Sequence, residues 1–246
     1  MLNQTFTDWE AICIDDGSTD NSLKILKQYA KKDKRIKVIT QKNSGVVDAR
    51  NNAIASAKSE YIYPLDSDDI IAPDCLEKLY RAMIDRRGDI ITSRVMYFGR
   101  IDGEFVLQNP IKENMAFNNC LVNASLFKKS DFEESGGYDH AFDDGLEDYD
   151  LWLNMLFKLN KKIYRVPEIL FYYRLKNKNE SRNSQSCSKV DILVETLHKK
   201  YPEMKEYIKK SYKKRKLKKF LLRVLCMFIP TRNWRHKIKD YFNHSG

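Results

Sequence analysis

Three carboxylates crowd one short stretch of this 246-residue chain. In Tyr61 to Pro73 (YIYPLDSDDIIAP) an apolar run ends abruptly in Asp66, Asp68 and Asp69, and Pro73 opens a helix-like stretch. Carboxylates packed this tightly repel one another unless a cation sits among them. Hard divalent cations take oxygen ligands, and magnesium is usually held by one or two carboxylates together with substrate phosphates. The chemistry that suits the stretch is a metal–diphosphate site. The competing reading is an acidic turn capping a helix, because a short motif stays a hypothesis until its surroundings agree.

Two further acidic groups share the chain. Ala11-Ile12-Cys13-Ile14 ends in Asp15-Asp16-Gly17-Ser18-Thr19-Asp20, so a second apolar run also closes on an aspartate pair. Gly145-Leu146 leads into Glu147, Asp148 and Asp150, followed by Leu151, Met155, Leu156 and Leu159 at helical spacing. Acids in a first helical turn suit the helix dipole, and one alone needs no other role. Three beside a glycine loop, in a chain with two acidic strand ends, favour a catalytic carboxylate.

The elements that would carry these groups alternate. Ala11–Ile14 and Ile36–Ile39 read as strands, with a helix between them capped by Ser18 or Thr19 and bearing Leu23, Leu26 and Ala30. Asn43-Ser44-Gly45 leads into a second helix with Ala49, Ala53 and Ala57 on one face and Arg50 in its first turns. A strand over 61–65, a helix after Pro73 with Leu76, Leu79 and Met83 inward, and a strand from Asp89 follow. Such alternation predicts a parallel sheet with covering helices, whose ligands bind at the carboxyl ends of the strands. Asp15/Asp16 and Asp66–Asp69 would then line one crevice. Beyond it, Val95–Phe98 and Phe105–Leu107 flank the turn pair Asp102-Gly103 as a hairpin. Ile163–Val166 and Ile169–Tyr173 read as short edge strands separated by Pro167.

Composition limits the setting. Hydrophobic residues are 42% of the chain, enough for a core. Five scattered cysteines lack the spacing of a disulfide framework or zinc site and point to a reducing compartment. No signal peptide is visible, and no apolar run is long enough to span a bilayer. The net charge is +10, yet residues 199–246 hold 16 Lys/Arg against 3 Asp/Glu, so the remainder is mildly acidic. In that tail Leu217, Phe220, Leu221, Val224, Leu225 and Phe228 fall on one helical face, with Lys216, Lys219 and Arg223 on the other. Residues 216–246 therefore read as amphipathic helix on an anionic membrane surface. Docking on the body is an alternative; a nucleic acid would use the apolar face poorly. The division expected is 1–175 for the main domain, 176–198 for a polar linker and 199–246 for the basic tail.

The ordered motifs DDGSTD at 15–20, NSG with ARN at 43–51, LDSDD at 65–69, GGYD at 136–139 and EDYDLW at 147–152 resemble the family 2 inverting glycosyltransferases over about residues 3–175. The resemblance implies an α/β, Rossmann-like GT-A domain that binds a nucleotide-sugar donor, most commonly a UDP-sugar, and a glycan or lipid-linked acceptor. It implies that Asp16, with Asp15 beside it, contacts the donor base, and that Arg50 contacts the nucleotide. Asp66 and Asp68 would hold donor groups, Asp68 and Asp69 a Mn²⁺ or Mg²⁺ ion, and Asp148 with Glu147 would act as general base. It further implies surface-polysaccharide or lipo-oligosaccharide synthesis, while the basic amphipathic tail points to the cytoplasm, on the inner face of the membrane, with no nucleic acid as partner.

Two departures from the family stand out. Its usual opening strand and helix, ahead of the segment resembling Leu2–Trp9, are absent, and Leu175-Lys176 stands where a histidine often follows Tyr-Arg. The first leads to the expectation of a fragment lacking a central strand, unstable or weakly active. A non-catalytic protein of this fold that binds membrane or a partner is the alternative function.

Overall fold

The computed structural model describes residues 1–176 and 190–210. The polypeptide forms two compact units, Met1–Tyr201 and Pro202–Gly246. Of the second, residues 204–210 are helical. The amphipathic segment expected over 216–246 lies outside the described residues.

Unit one opens as the sequence predicts. Strand β1 (Ala11–Asp16), helix α1 (Ser22–Lys32), strand β2 (Ile36–Gln41) and helix α2 (Val46–Ser56) follow in order, and β1 pairs with β2 in parallel. Helix α1 starts later than a Ser18 or Thr19 cap would allow, because Asp20 Oδ1 accepts from Ser22 N–H at 2.8 Å and forms the preceding turn instead.

The main sheet differs from the expected parallel one. It comprises β3 (Tyr61–Ile62), β4 (Ile70–Ile71), β5 (Ile90–Gly99), β6 (Gly103–Phe105), β7 (Leu126–Lys128) and β8 (Ile163–Leu175). Its order is β3-β7-β5-β8-β4, with β6 on β5. Only β5 and β8 run parallel within it; the remaining pairs are antiparallel. Strand β8 is interior, between β5 and β4, and continuous, not two edge strands. Register shifts at Ser93/Arg94 and Arg94/Val95 carry Pro167 past β5, which is how a residue without an N–H sits inside a sheet.

Helix α3 (Cys75–Ile84) buries Leu76, Leu79 and Met83 against Ile91 and Val95 of β5 and Leu170 and Phe171 of β8. Along β7 the two-residue period turns Leu126 to this cluster, while Phe127 packs on Phe132 and Trp152. The N-terminal residues join the same layer. Gln4 Nε2 donates to Ala72 O at 2.7 Å, and Gln4 Oε1 accepts from the Leu76 N–H at 3.0 Å, so one buried amide holds the start of α3. Helices α4 (Lys112–Met115) and α5 (Lys129–Ser135) are short. Helix α6 (Glu147–Leu153) continues through a π turn over Asn154–Lys158.

Strands β1 and β3 are not paired. Between them lies a cavity of about 810 Å³, lined by Ile12, Ile14, Ala53, Tyr63, Leu65 and Leu76 among others. The consequence is visible on both sides. The strand expected over 61–65 is paired only at Tyr61 and Ile62, α1 has no buried residue, and the apolar residues of β1 are only half-buried. The common sheet edge expected for Asp15/Asp16 and Asp66–Asp69 is therefore not formed by neighbouring strands.

The region expected to be a polar linker over 176–198 is helical at its far end. Helix α7 (Val190–Lys200) buries Leu193 and Leu197, a period-four apolar pair among charged residues.

Candidate active site

Helix α2 supplies the residue that gathers the site. Arg50 is only 15% exposed, and its guanidinium donates to Asp66 Oδ1 at 2.8 Å and to Glu147 Oε1 at 2.7 Å. It lies 5.5 Å from the centroid of the buried Tyr138 ring. Burial opposes its charge, but Asp66, Tyr138 and Glu147 more than offset this and lift Arg50 above its ordinary value. One cation thus joins the acidic turn after β3 to the first turn of α6.

Asp148 stands beside that pair. Its Oδ1 accepts from the Tyr149 N–H at 2.7 Å, and its Oδ2 from Asn119 Nδ2 at 3.3 Å. Burial, with the charge of Glu147, pushes its carboxyl up to about 7 against the pull of Arg50. A carboxylate so placed can take a proton near neutral pH. Leu146, ahead of Glu147, adopts φ +66°, and Gly145 precedes it at φ +132°. The glycine loop and this left-handed turn lift α6's first carboxylates to the site.

Asp66, Asp68 and Asp69 share one turn, closed by Asp69 N–H to Asp66 O at 3.2 Å. The end of β8 leans over it. Lys176 Nζ is 2.7 Å from Asp68 Oδ2, Arg174 Nε donates to Asp68 O, and the Arg174 N–H donates to Asp69 Oδ1 at 2.8 Å. Burial, joined by the charges of Asp68 and Asp66, raises Asp69 to about 7 in spite of that N–H bond. Among the described residues no three His, Cys, Asp or Glu groups converge on a metal position. Asp68 and Asp69 are the carboxylates of the turn that could contribute oxygens to a divalent cation, a mode in which substrate phosphates complete the shell.

Asp15 and Asp16 close β1 elsewhere. Asp15 is buried. Asp16 accepts from the Ser44 N–H at 2.8 Å, the Gly45 N–H at 2.9 Å and Gln41 Nε2 at 2.9 Å. Burial would raise Asp16, but these bonds outweigh it and hold the carboxyl below its usual range. Asp16 is linked to Arg50 through α2, since Gly45 is that helix's N-cap.

Several residues of the site had no role assigned from sequence, although some stand in its motifs. Asn51 clasps Tyr138 twice, donating to its carbonyl and accepting from its N–H, both at 3.0 Å. Gly137 has φ +77°, and a Cβ there would lie 2.9 Å from Asn51 Oδ1, so the GGYD loop needs glycine at that position. Asn119 gave no sequence signal beyond polarity, and Lys176 stood out only as a departure from the family pattern. Conversely, Tyr149 and Trp152 of the EDYDLW motif are core residues. Trp152 is fully buried, and Tyr149 Oη donates to Met115 O.

A mixed α/β sheet with a carboxylate turn at one strand end, faced by an acidic helix start, is the GT-A nucleotide-sugar transferase fold. The chain resembles residues 1–349 of S. aureus TarS solved with UDP-GlcNAc, with TM-score 0.61 and 20% identity over 71% of this chain and 52% of that one, so it spans about half of that structure. The family model described as glycosyl transferase family 2 matches residues 1–138, and the chain belongs to that family. It is 32% identical over 193 residues to the O-antigen biosynthesis glycosyltransferase WbnJ of Escherichia coli, covering 75% of each chain. It is 31% identical over 224 residues to glycosyltransferase GlyG of Streptococcus pneumoniae, covering 81% of this chain and 72% of that one. The TuaG protein of Bacillus subtilis, a putative teichuronic acid biosynthesis glycosyltransferase by its description, is 33% identical over 196 residues, covering 77% of this chain and 76% of that one. The chain is a glycosyltransferase.

Proposed function

We propose that this enzyme transfers a sugar from a nucleoside-diphosphate sugar, most commonly a UDP-sugar, to a hydroxyl of a glycan or lipid-linked acceptor, with inversion, in surface-polysaccharide synthesis. The observation that carries the reading is Arg50 bridging Asp66 and Glu147, with Asp148 alongside and raised to about 7. The relatives named for O-antigen and teichuronic acid synthesis support the polysaccharide setting, and the structural neighbour's UDP-GlcNAc supports the donor class.

In this reading the acceptor hydroxyl, a weak nucleophile, gives its proton to the Asp148 carboxylate as its oxygen bonds to the anomeric carbon. The bond from that carbon to the diphosphate oxygen breaks in the same displacement, and attack from the opposite face inverts the centre. Glu147 keeps Arg50 aimed at the donor side and, by its charge, keeps Asp148 basic. Asp15 and Asp16 would meet the donor base at the end of β1. Asp68 and Asp69 would hold Mn²⁺ or Mg²⁺, which when bound neutralises charge on the departing diphosphate.

The test is release of UDP from UDP-sugars with Mn²⁺ present. Asp148→Asn is expected to lower turnover at least about 100-fold while leaving donor binding in place. Undiminished turnover in that variant would sink the reading. Donor binding without turnover in the unmodified chain would favour the non-catalytic alternative.

We further infer attachment to the inner face of the cell membrane through 216–246, from its basic amphipathic pattern. No helix among the described residues is long and apolar enough to cross a membrane. A chain lacking 216–246 is expected to lose co-sedimentation with anionic liposomes, and persistent binding would refute the anchor.

A further inference from the structure

A buried ionic cluster sits behind the catalytic turn. Asp150 lies two residues beyond Asp148 in the first turn of α6 and is 1% exposed. Its carboxylate accepts from Tyr201 Oη at 2.8 Å and from Lys200 Nζ at 2.8 Å, and Tyr201 Oη also reaches the Asp150 carbonyl at 3.1 Å. The same Lys200 ammonium is 2.6 Å from Asp139 Oδ2, in the loop that leads to α6. Lys200 ends α7 and Tyr201 follows it, fully buried. A buried carboxylate is strongly unfavourable once a partner is removed. The cluster therefore ties the end of α7 to both ends of segment 139–150.

Within that segment Leu146 holds its left-handed φ of +66°, a strained conformation for a bulky side chain. The Asp150 N–H donates to Leu146 O at 2.9 Å, which fastens the strained residue to the helix. Backbone of this kind persists only where its surroundings over-determine it. Here Arg50 grips Glu147 from the donor side, and Lys200 with Tyr201 grips Asp150 from the other. Asp148 stands between the two grips.

We propose that Lys200 and Tyr201 are positioning residues: through Asp150 and Asp139 they hold the strained turn that aims the Asp148 carboxylate at the acceptor hydroxyl. This deepens the proposed function and rests on Asp148 being its base. Lys200 and Tyr201 lie beyond both the last family motif, at 147–152, and the family match, which ends at residue 138.

The experiment uses the full chain and measures UDP release from a UDP-sugar, together with hydrogen exchange of the amides of residues 147–150. Displacing a reacting group by about 1 Å lowers rates on the order of 100-fold. Lys200→Met is expected to lower kcat about 10- to 100-fold with KM for the UDP-sugar within about two-fold, and to speed exchange at 147–150. Lys200→Arg, whose fork can still serve two carboxylates, is expected to recover most of kcat. Should Lys200→Met not fold, the pair Lys200→Met with Asp150→Asn removes the uncompensated charge, keeps the clamp broken, and is expected to show the same loss. The proposal is overturned if either folded variant keeps kcat within about two-fold of the parent, or if kcat and UDP-sugar affinity fall together. If the unmodified chain releases no UDP from any nucleotide sugar, the proposed function fails on its own account. Exchange then still decides the clamp: faster exchange at 147–150 in Lys200→Met supports it, and unchanged exchange overturns it.

Discussion

Glu147 and Asp148 are neighbours in sequence and meet opposite surroundings. Glu147 is spent on Arg50, while Asp148 is raised to about 7 by burial and by the charge of Glu147. A general base works only when deprotonated, so turnover per donor encounter is expected to fall about ten-fold for each pH unit below about 7. Glu147→Gln removes the like charge that raises Asp148 and leaves Arg50 freer to lower it. Both changes favour the carboxylate, so the acid limb of the kcat/KM profile is expected to move to lower pH. A limb that stays put or moves up would show that another group sets it. Every carboxylate of this site was readable as an acid at an element's end. What could not be read was its partner, because Asn119 and Lys176 come from distant parts of the chain whose approach depends on the folded sheet.

At the scale of elements, local period carried most of the reading. β1, α1, β2, α2 and α3 sit close to where apolar spacing puts them, because each pattern repeats over several residues. The sequence predicts two strands in place of β8 because Pro167 looks like a strand end, and only the bulge opposite Arg94 lets it pass. The N-terminal residues are largely polar in sequence, yet the Gln4 amide is buried and pairs with both Ala72 O and the Leu76 N–H. Nothing in a polar run reveals that a helix start needs it. Gln4→Ala leaves the buried Leu76 N–H without its partner, worth about 1–3 kcal/mol, while Ala72 O keeps the Cys75 N–H at 3.0 Å. Its Tm is expected to drop by about 2–10 °C, with α3 detaching first in hydrogen exchange. A shift under about 1 °C would mean water replaces the amide without loss.

The whole molecule is shaped by the gap between β1 and β3. Parallel strands are ordinarily buried on both faces, and a two-stranded sheet alone is marginal. β1–β2 is such a pair, bordered by about 810 Å³ of largely apolar space that α2 and α3 help to line. Asp15 and Asp16 are on one side of that space and Asp66 on the other, so its filling bears on how firmly the donor side is held. One extended strand is the object whose backbone satisfies two facing strand edges at once and whose side chains meet apolar walls above and below. Each fully buried Val, Leu or Ile contributes about 1.5–3 kcal/mol. A variant extended at its N-terminus by an apolar strand and a helix long enough to return to Leu2 is therefore expected to melt at least about 5 °C higher than the 246-residue chain. It is also expected to release UDP from UDP-sugars faster, because β1 and the Asp66 turn would share a partner. The control replaces two strand residues of the extension with aspartate, which cannot sit between apolar walls without a partner, and loses both gains. Equal melting temperature and turnover in the extended and unextended chains would show that the gap closes by itself and that the two sheets need no strand between them.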